Sequence, residues 1–150
     1  MKNWKDDLKE FFKEKDIDRA REKKDAELRS RVEKFYLKSV RPAFKTLKKE
    51  LERYGRQVNI AVSESLAAIE VEFEGRLELN YQVKVRDIHP YLEIRYQDAM
   101  GNGIWSEANF REGSQQVDIS GLSTDEIIQN FLREYKARLW VLYKKRSTDL

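Results

Sequence analysis

Residues 58–86 read VNIAVSESLAAIEVEFEGRLELNYQVKVR, and the fold turns on this stretch. Val58, Ile60 and Val62 alternate with Asn59 and Ala61. Ile69, Val71 and Phe73 alternate with Glu70, Glu72 and Glu74, and Leu77, Leu79, Tyr81, Val83 and Val85 with Glu78, Asn80, Gln82, Lys84 and Arg86. Successive strand side chains point to opposite faces, so this period of two predicts three half-buried strands. A two-residue turn at Glu64-Ser65 sets Val62 opposite Ala67, Ile60 opposite Ile69 and Val58 opposite Val71. A three-residue turn around Gly75 sets Phe73 opposite Leu77 and Val71 opposite Leu79. Each pair keeps apolar residues on one face, and a slip of one residue would reverse every side chain.

Downstream, the Asp87-to-Pro90 connection leads to a fourth strand over 91–97, with Leu92, Ile94 and Tyr96 inward. After the turn at Gly101-Asn102-Gly103, residues 104–111 and 115–119 read as a fifth and a sixth strand. Ser123-Thr124-Asp125-Glu126 then forms a capping box, whose hydroxyl and carboxylate each satisfy an open backbone N–H. The helix it opens carries Ile127, Ile128, Phe131, Leu132, Tyr135, Leu139, Leu142 and Tyr143 on one stripe, widened by Trp140. Its basic end, Lys144-Lys145-Arg146, suits the negative pole of the helix dipole.

Upstream, Leu28, Val32, Phe35, Tyr36, Val40, Phe44, Leu47, Leu51 and Tyr54 recur at three and four residues, predicting a helix over 25–54. Pro42 lacks an N–H, so a kink or break belongs at 39–41, and Gly55 suits a left-handed cap. Before it, residues 1–24 read as a charged amphipathic arm with Trp4, Leu8, Phe11 and Phe12 at helical spacing and a break at Asp16-Ile17-Asp18. The expected architecture is α+β: a long N-terminal helix, an antiparallel meander of five or six strands and a long C-terminal helix. Every strand has a polar face, so the helices should pack on one face of the sheet. Residues 1–24 would be the arm and 25–150 the single α+β domain.

Composition narrows the function. The chain of 150 residues has no cysteine and one histidine, which removes disulfides, thiolate metal sites and thiol catalysis. It shows no signal peptide and no apolar run near the roughly 20 residues of a membrane span, so a cytoplasmic protein is expected. The net charge of +3 is uneven: residues 1–54 hold 18 Lys/Arg against 12 Asp/Glu, 55–126 hold 6 against 13, and 127–150 hold 6 against 2. The helices are basic and the sheet acidic.

No phosphate loop, Gly-x-Ser-x-Gly or His-Glu-x-x-His occurs. His89 stands before Pro90 in a connection and reads as an ordinary loop histidine. On the polar face, Glu70, Glu72 and Glu74 project about 7 Å apart, with Gln82-Val83-Lys84 on the next strand. This arrangement is similar to the metal-dependent nuclease fold that begins helix, strand, strand, strand. There an acid and a Glu- or Gln-x-Lys hold Mg²⁺ for water activation, which the resemblance implies for residues 30–86. The usual Pro-Asp start is missing, and further strands replace the crossover helix. An acidic solvated sheet face accounts for the same residues.

Three other readings follow from side-chain chemistry. Lys34, Lys38, Arg41, Lys45, Lys48 and Lys49, with Arg133, Lys136, Arg138, Lys144, Lys145 and Arg146, could neutralise nucleic-acid phosphates, although Glu33, Glu50, Glu52 and Glu134 interrupt them. Tyr81, Tyr91, Tyr96, Trp105, Phe110, Phe131, Tyr135 and Trp140 could fill a core or line an apolar ligand cavity between the layers. The apolar residues of the arm suggest self-association or docking to a protein partner. With no catalytic motif, and no catalytic, cofactor or metal residue singled out, a non-enzymatic binding or assembly protein acting through protein contacts is the expectation.

Overall fold

The structure, a computed structural model, describes residues 3–111 and 117–148, the side chains of 144–148 excepted. It comprises two compact units, residues 1–31 and 32–150.

Most of the first unit is helix α1, Trp4–Lys34, which runs without interruption through Asp16, Ile17 and Asp18. The expected break is therefore absent. Neither Asp nor Ile removes a backbone donor, so both cost only fractions of a kcal/mol in a helix. No residue of α1 is buried.

The second unit begins at Val32, in the last residues of α1, and continues through a π-helical stretch, Phe35–Val40, into helix α2, Arg41–Glu52. In place of the expected kink or break, the helix widens. The Arg41 N–H reaches back to the Tyr36 carbonyl, five residues away, and Pro42 becomes an early residue of α2, where its missing donor costs little. Gly55, at φ 80°, follows the end of α2.

The sheet is a five-stranded antiparallel meander in the order β1 (Gln57–Val62), β2 (Ala67–Phe73), β3 (Arg76–Arg86), β4 (His89–Gln97), β5 (Gly103–Ala108). The first hairpin has the expected register, with Val62 opposite Ala67, Ile60 opposite Ile69 and Val58 opposite Val71.

The second hairpin differs. Its turn has two residues, Glu74 and Gly75, both with positive φ (53° and 77°), the geometry of a type I′ hairpin. Phe73 therefore faces Arg76 and Glu72 faces Leu77, while Val71 still faces Leu79. Between these pairs β3 carries one extra residue, Glu78. A β-bulge absorbs it, turning Leu77 to the polar face and Glu78 to the buried one.

His89 and Pro90 belong to β4 rather than to a connection, because the Asp87-Ile88 turn pairs Arg86 with His89 and Val85 with Pro90. The pair closing a two-residue hairpin is hydrogen-bonded, so the next pair is not, and the donorless nitrogen of Pro90 faces away from β3. β5 reaches only to the level of Leu92 and does not need that donor. The expected sixth strand is not formed among the described residues. Residues 115 and 116 lie outside them, and Ile119–Gly121 is a 3₁₀ turn nucleated by Asp118, whose carboxylate accepts from the Ser120 N–H at 2.8 Å.

Helix α3, Thr124–Thr148, starts with the Ser123 hydroxyl accepting from the Glu126 N–H at 3.1 Å. Ile127, Phe131 and Tyr135 meet Ala43, Phe44 and Leu47 of α2 and the inner residues of the strands in one continuous core. The Tyr81 ring stands at its centre, edge-on to Phe44 at 6.0 Å and to Phe131 at 5.1 Å. The helices of this unit cover one face of the sheet, and Glu70, Asn80, Glu93, Arg95 and Trp105 occupy the other.

Candidate functional site

Glu78 is the residue whose surroundings depart furthest from its sequence pattern. It is fully buried. Its Oε1 accepts from Arg56 Nε at 3.0 Å and from the Tyr135 hydroxyl at 2.5 Å, and its Oε2 from Arg56 Nη2 at 3.2 Å and the Tyr143 hydroxyl at 2.8 Å. The Arg56 guanidinium also lies 4.0 Å over the Phe73 ring, a cation–π contact. Burial, then the Glu78 hydrogen bond and charge, raises the Tyr143 hydroxyl to about 12, and the same causes in the same order raise that of Tyr135. Hydrogen bonding to Glu78 strengthens the hold of Arg56 on its proton. Four donors on one carboxylate form a closed network, with its capacity spent on joining β3 to α3.

The nuclease-like residues do not assemble. Glu70 faces Asn80 and Glu72 faces Leu77, whereas Lys84 lies beyond the paired end of β2 and faces Tyr91 on β4. Lys84 is four residues along β3 from Asn80, or about 13 Å from the level of Glu70, and farther from Glu72. Glu74 sits in the turn and Gln82 faces Ala68. Among the described residues no group of three or more His, Asp or Glu is placed to hold a metal ion.

His89 begins β4, with Nδ1 3.3 Å from the Val117 carbonyl. It borders a cleft of about 360 Å³ beside the β3–β4 turn, lined also by Arg86, Tyr91, Glu107 and Arg111. Both guanidiniums are occupied: Arg86 lies over the Tyr91 ring at 4.7 Å and 3.7 Å from Glu107, and Arg111 meets both oxygens of Glu126 at 3.0 Å.

The basic helix faces are interrupted as their sequence is. Lys48 pairs with Glu52 at 3.8 Å and Arg138 with Glu134 at 3.2 Å, while Arg41 and Arg133 donate to the carbonyls of Val62 and Phe110. Lys34, Lys38, Lys45, Lys49 and Lys136 are exposed; the side chains of Lys144, Lys145 and Arg146 lie outside the described residues. Of the aromatic set, Tyr81, Phe110, Phe131 and Tyr135 are core residues, Tyr91 and Tyr96 are half-buried, and Trp105 and Trp140 are exposed.

What remains is α1. Trp4, Leu8, Phe11 and Phe12 are 66, 47, 50 and 60 % exposed, on a helix that buries none of its side chains. The sequence exposed this cluster through helical spacing. It gave no such notice of the Glu78 network, whose only signal was the Glu74-Gly75 pair, a two-residue turn that leaves β3 one residue too long.

The architecture defines an α+β protein with an antiparallel sheet and an amino-terminal helix that carries an exposed apolar stripe. No family model matches the chain, and neither does any solved structure. Among curated proteins it is similar to a glycine betaine transporter of Acinetobacter baylyi, at 26 % identity over 121 residues, covering 77 % of this chain and 18 % of the transporter. The chain thus spans less than a fifth of that relative, and no helix among the described residues is long and apolar enough to cross a membrane.

Proposed function

We propose that this protein is a non-enzymatic binding or assembly module that works through protein–protein contacts, with the amino-terminal part of α1 as its contact surface. The observation that carries this reading is the solvent exposure of Trp4, Leu8, Phe11 and Phe12 together. Burying each such side chain is worth roughly 1.5–3 kcal/mol, so four of them on one helical segment supply a driving force for association. Clustered apolar exposure of this kind marks interaction sites, whereas single exposed residues need no explanation. The likeness to part of a transporter is consistent in scale, since 121 residues within a much longer protein is the size of one attached module.

Site-specific photocrosslinking tests the reading. Benzoylphenylalanine at Phe12 should give a discrete protein adduct in the expressing cell, and at exposed Gln129 on α3 it should give none. Equal, diffuse labelling at both positions would refute a protein-contact role for α1.

A further inference from the structure

The charges around the apolar stripe of α1 say which partner it fits. A helix advances about 100° per residue, so with Trp4 at zero, Phe11 stands at about 340°, Leu8 at about 40° and Phe12 at about 80°. The charges of this segment divide on either side of that stripe. Lys5, Lys9 and Lys13 follow its Phe12 edge at about 100°, 140° and 180°, while Asp7, Glu14, Glu10 and Asp6 lie back from its Phe11 edge at about 300°, 280°, 240° and 200°. One flank is basic and the other acidic. Lys15, at about 20°, falls within the stripe and closes it, and Asp16, at about 120°, is the first acidic residue on the basic flank.

Beside the stripe itself stand Lys5 and Lys9 on one flank and Asp7 and Glu14 on the other, while Asp6, Glu10 and Lys13, toward the far side of the helix, fall within i,i+3 reach of opposite charges on α1 itself (Asp6 and Lys9, Glu10 and Lys13). The arrangement becomes favourable when each flank faces its opposite. Two parallel copies related by a twofold axis along the helices bring the basic flank of one against the acidic flank of the other, on both sides of the seam. An antiparallel pair brings like flanks together. This is the same geometry that lets charges beside a coiled-coil seam set orientation.

We infer that the occupant of this face is a second copy of the same chain, paired parallel and in register through Trp4, Leu8, Phe11 and Phe12. The inference rests on the contact reading proposed above and adds the partner's identity and direction. The Lys15 stem crosses the Phe11 ring, with Nζ 5.5 Å from its centre, and ends the stripe with a charge, so the contact is confined to the first turns of α1. The association is therefore weak enough to be concentration-dependent and, because its specificity is electrostatic, it weakens with added salt.

Sedimentation of the full chain from micromolar to hundreds of micromolar is expected to show a monomer–dimer equilibrium. Lys5→Glu/Lys9→Glu makes both flanks acidic and should weaken it about tenfold, as should Asp7→Lys/Glu14→Lys, which makes both basic. Mixing the two variants should restore a dimer containing one of each. Circular dichroism at equal concentration checks that α1 persists in each variant. A charge-reversed protein that dimerises as well as the native one overturns the parallel arrangement. A monomer throughout that range overturns self-association altogether, as does binding of the monomer to anionic phospholipid vesicles in its place. The Phe12 photoadduct separates this failure from that of the broader reading: twice the chain mass supports both, another mass retains only the contact role, and no adduct removes both.

Discussion

Removing Arg56 from the Glu78 network should destabilise the protein more than an exposed arginine normally could. Glu78 is fully buried, and Arg56 supplies two of its four donors while exposing only 21 % of its own side chain. Arg56→Met would leave a buried carboxylate with only the hydroxyls of Tyr135 and Tyr143. Breaking a buried ion pair from one side costs about 3–5 kcal/mol, mostly because the remaining charge has lost its compensation. Against a total stability of about 5–15 kcal/mol, that is a large share. Glu78→Leu removes the charge itself and strands two hydroxyls, at about 1–3 kcal/mol for a buried one. The double variant, Arg56→Met/Glu78→Leu, has no uncompensated charge. It should therefore cost less than the two single changes added together, by about 1.5–3 kcal/mol. Urea unfolding followed by far-ultraviolet circular dichroism gives all three values. Additivity within about 0.5 kcal/mol, or a cost below about 1 kcal/mol for Arg56→Met, would refute the network as described.

At high pH, burial, and then Tyr91, pushes Tyr36 up to about 12, and burial also holds Tyr81 well above the ordinary tyrosine range. The folded state thus keeps protons that the unfolded chain releases near pH 10, so stability is intact below about pH 10 and falls as pH rises toward 12. The tyrosinate absorbance at 295 nm contributed by Tyr36 and Tyr81 should appear together with loss of helix, and ionisation of all seven tyrosines in a fully folded protein would contradict this. Glu74, at φ 53°, is poorly suited to a type I′ turn, and Glu74→Asn should raise the thermal midpoint by a stabilisation of about 0.5 kcal/mol, whereas Gly75→Ala, at φ 77°, should cost about 1–2 kcal/mol. Calorimetry reads both, and opposite signs would remove the turn assignment. Thr124→Val deletes the hydroxyl that donates to the Ser39 carbonyl at 3.0 Å and should cost about 1 kcal/mol by the same measurement; an unchanged midpoint would show that this bond contributes nothing.

Wherever one side-chain period held over several residues, the fold was legible. The alternation in β1 and β2 specified both their faces and their register, because only one pairing buries Val58, Ile60, Ile69 and Val71 together. Pro42 likewise pointed to a disturbance of the helix, since a missing donor has few accommodations. That it would be a π-helical stretch was not readable, because one of its carbonyls, that of Ser39, is satisfied by Thr124 from a distant part of the chain. His89 and Pro90 looked like a loop for a similar reason. Proline is excluded from a strand only where its N–H would be needed, and that depends on how far the next strand extends.

Glu78 shows where pattern reading stops. In Leu77-Glu78-Leu79 the period of two gives the carboxylate to solvent, and the chain folds the opposite way because Glu74-Gly75 makes a tighter turn than the alternation implies. The excess residue must go somewhere, and a bulge that turned a charge inward without partners would be prohibitive. Arg56, just ahead of β1, and Tyr135 and Tyr143, eight residues apart on α3, are each unremarkable in sequence, and only the assembled core puts their donors on one carboxylate. The stripe on α1 is the reverse case. Its spacing was plain from the sequence, but spacing alone gives the same forecast for a helix packed in its own core and for one that meets another molecule. Trp4, Leu8, Phe11 and Phe12 are exposed together, and the opposite charges on the two flanks bear on the second alternative. Lys5 and Lys9 on one flank of the apolar stripe, with Asp7 and Glu14 on the other, argue for a facing surface sorted the other way, which a parallel second copy supplies.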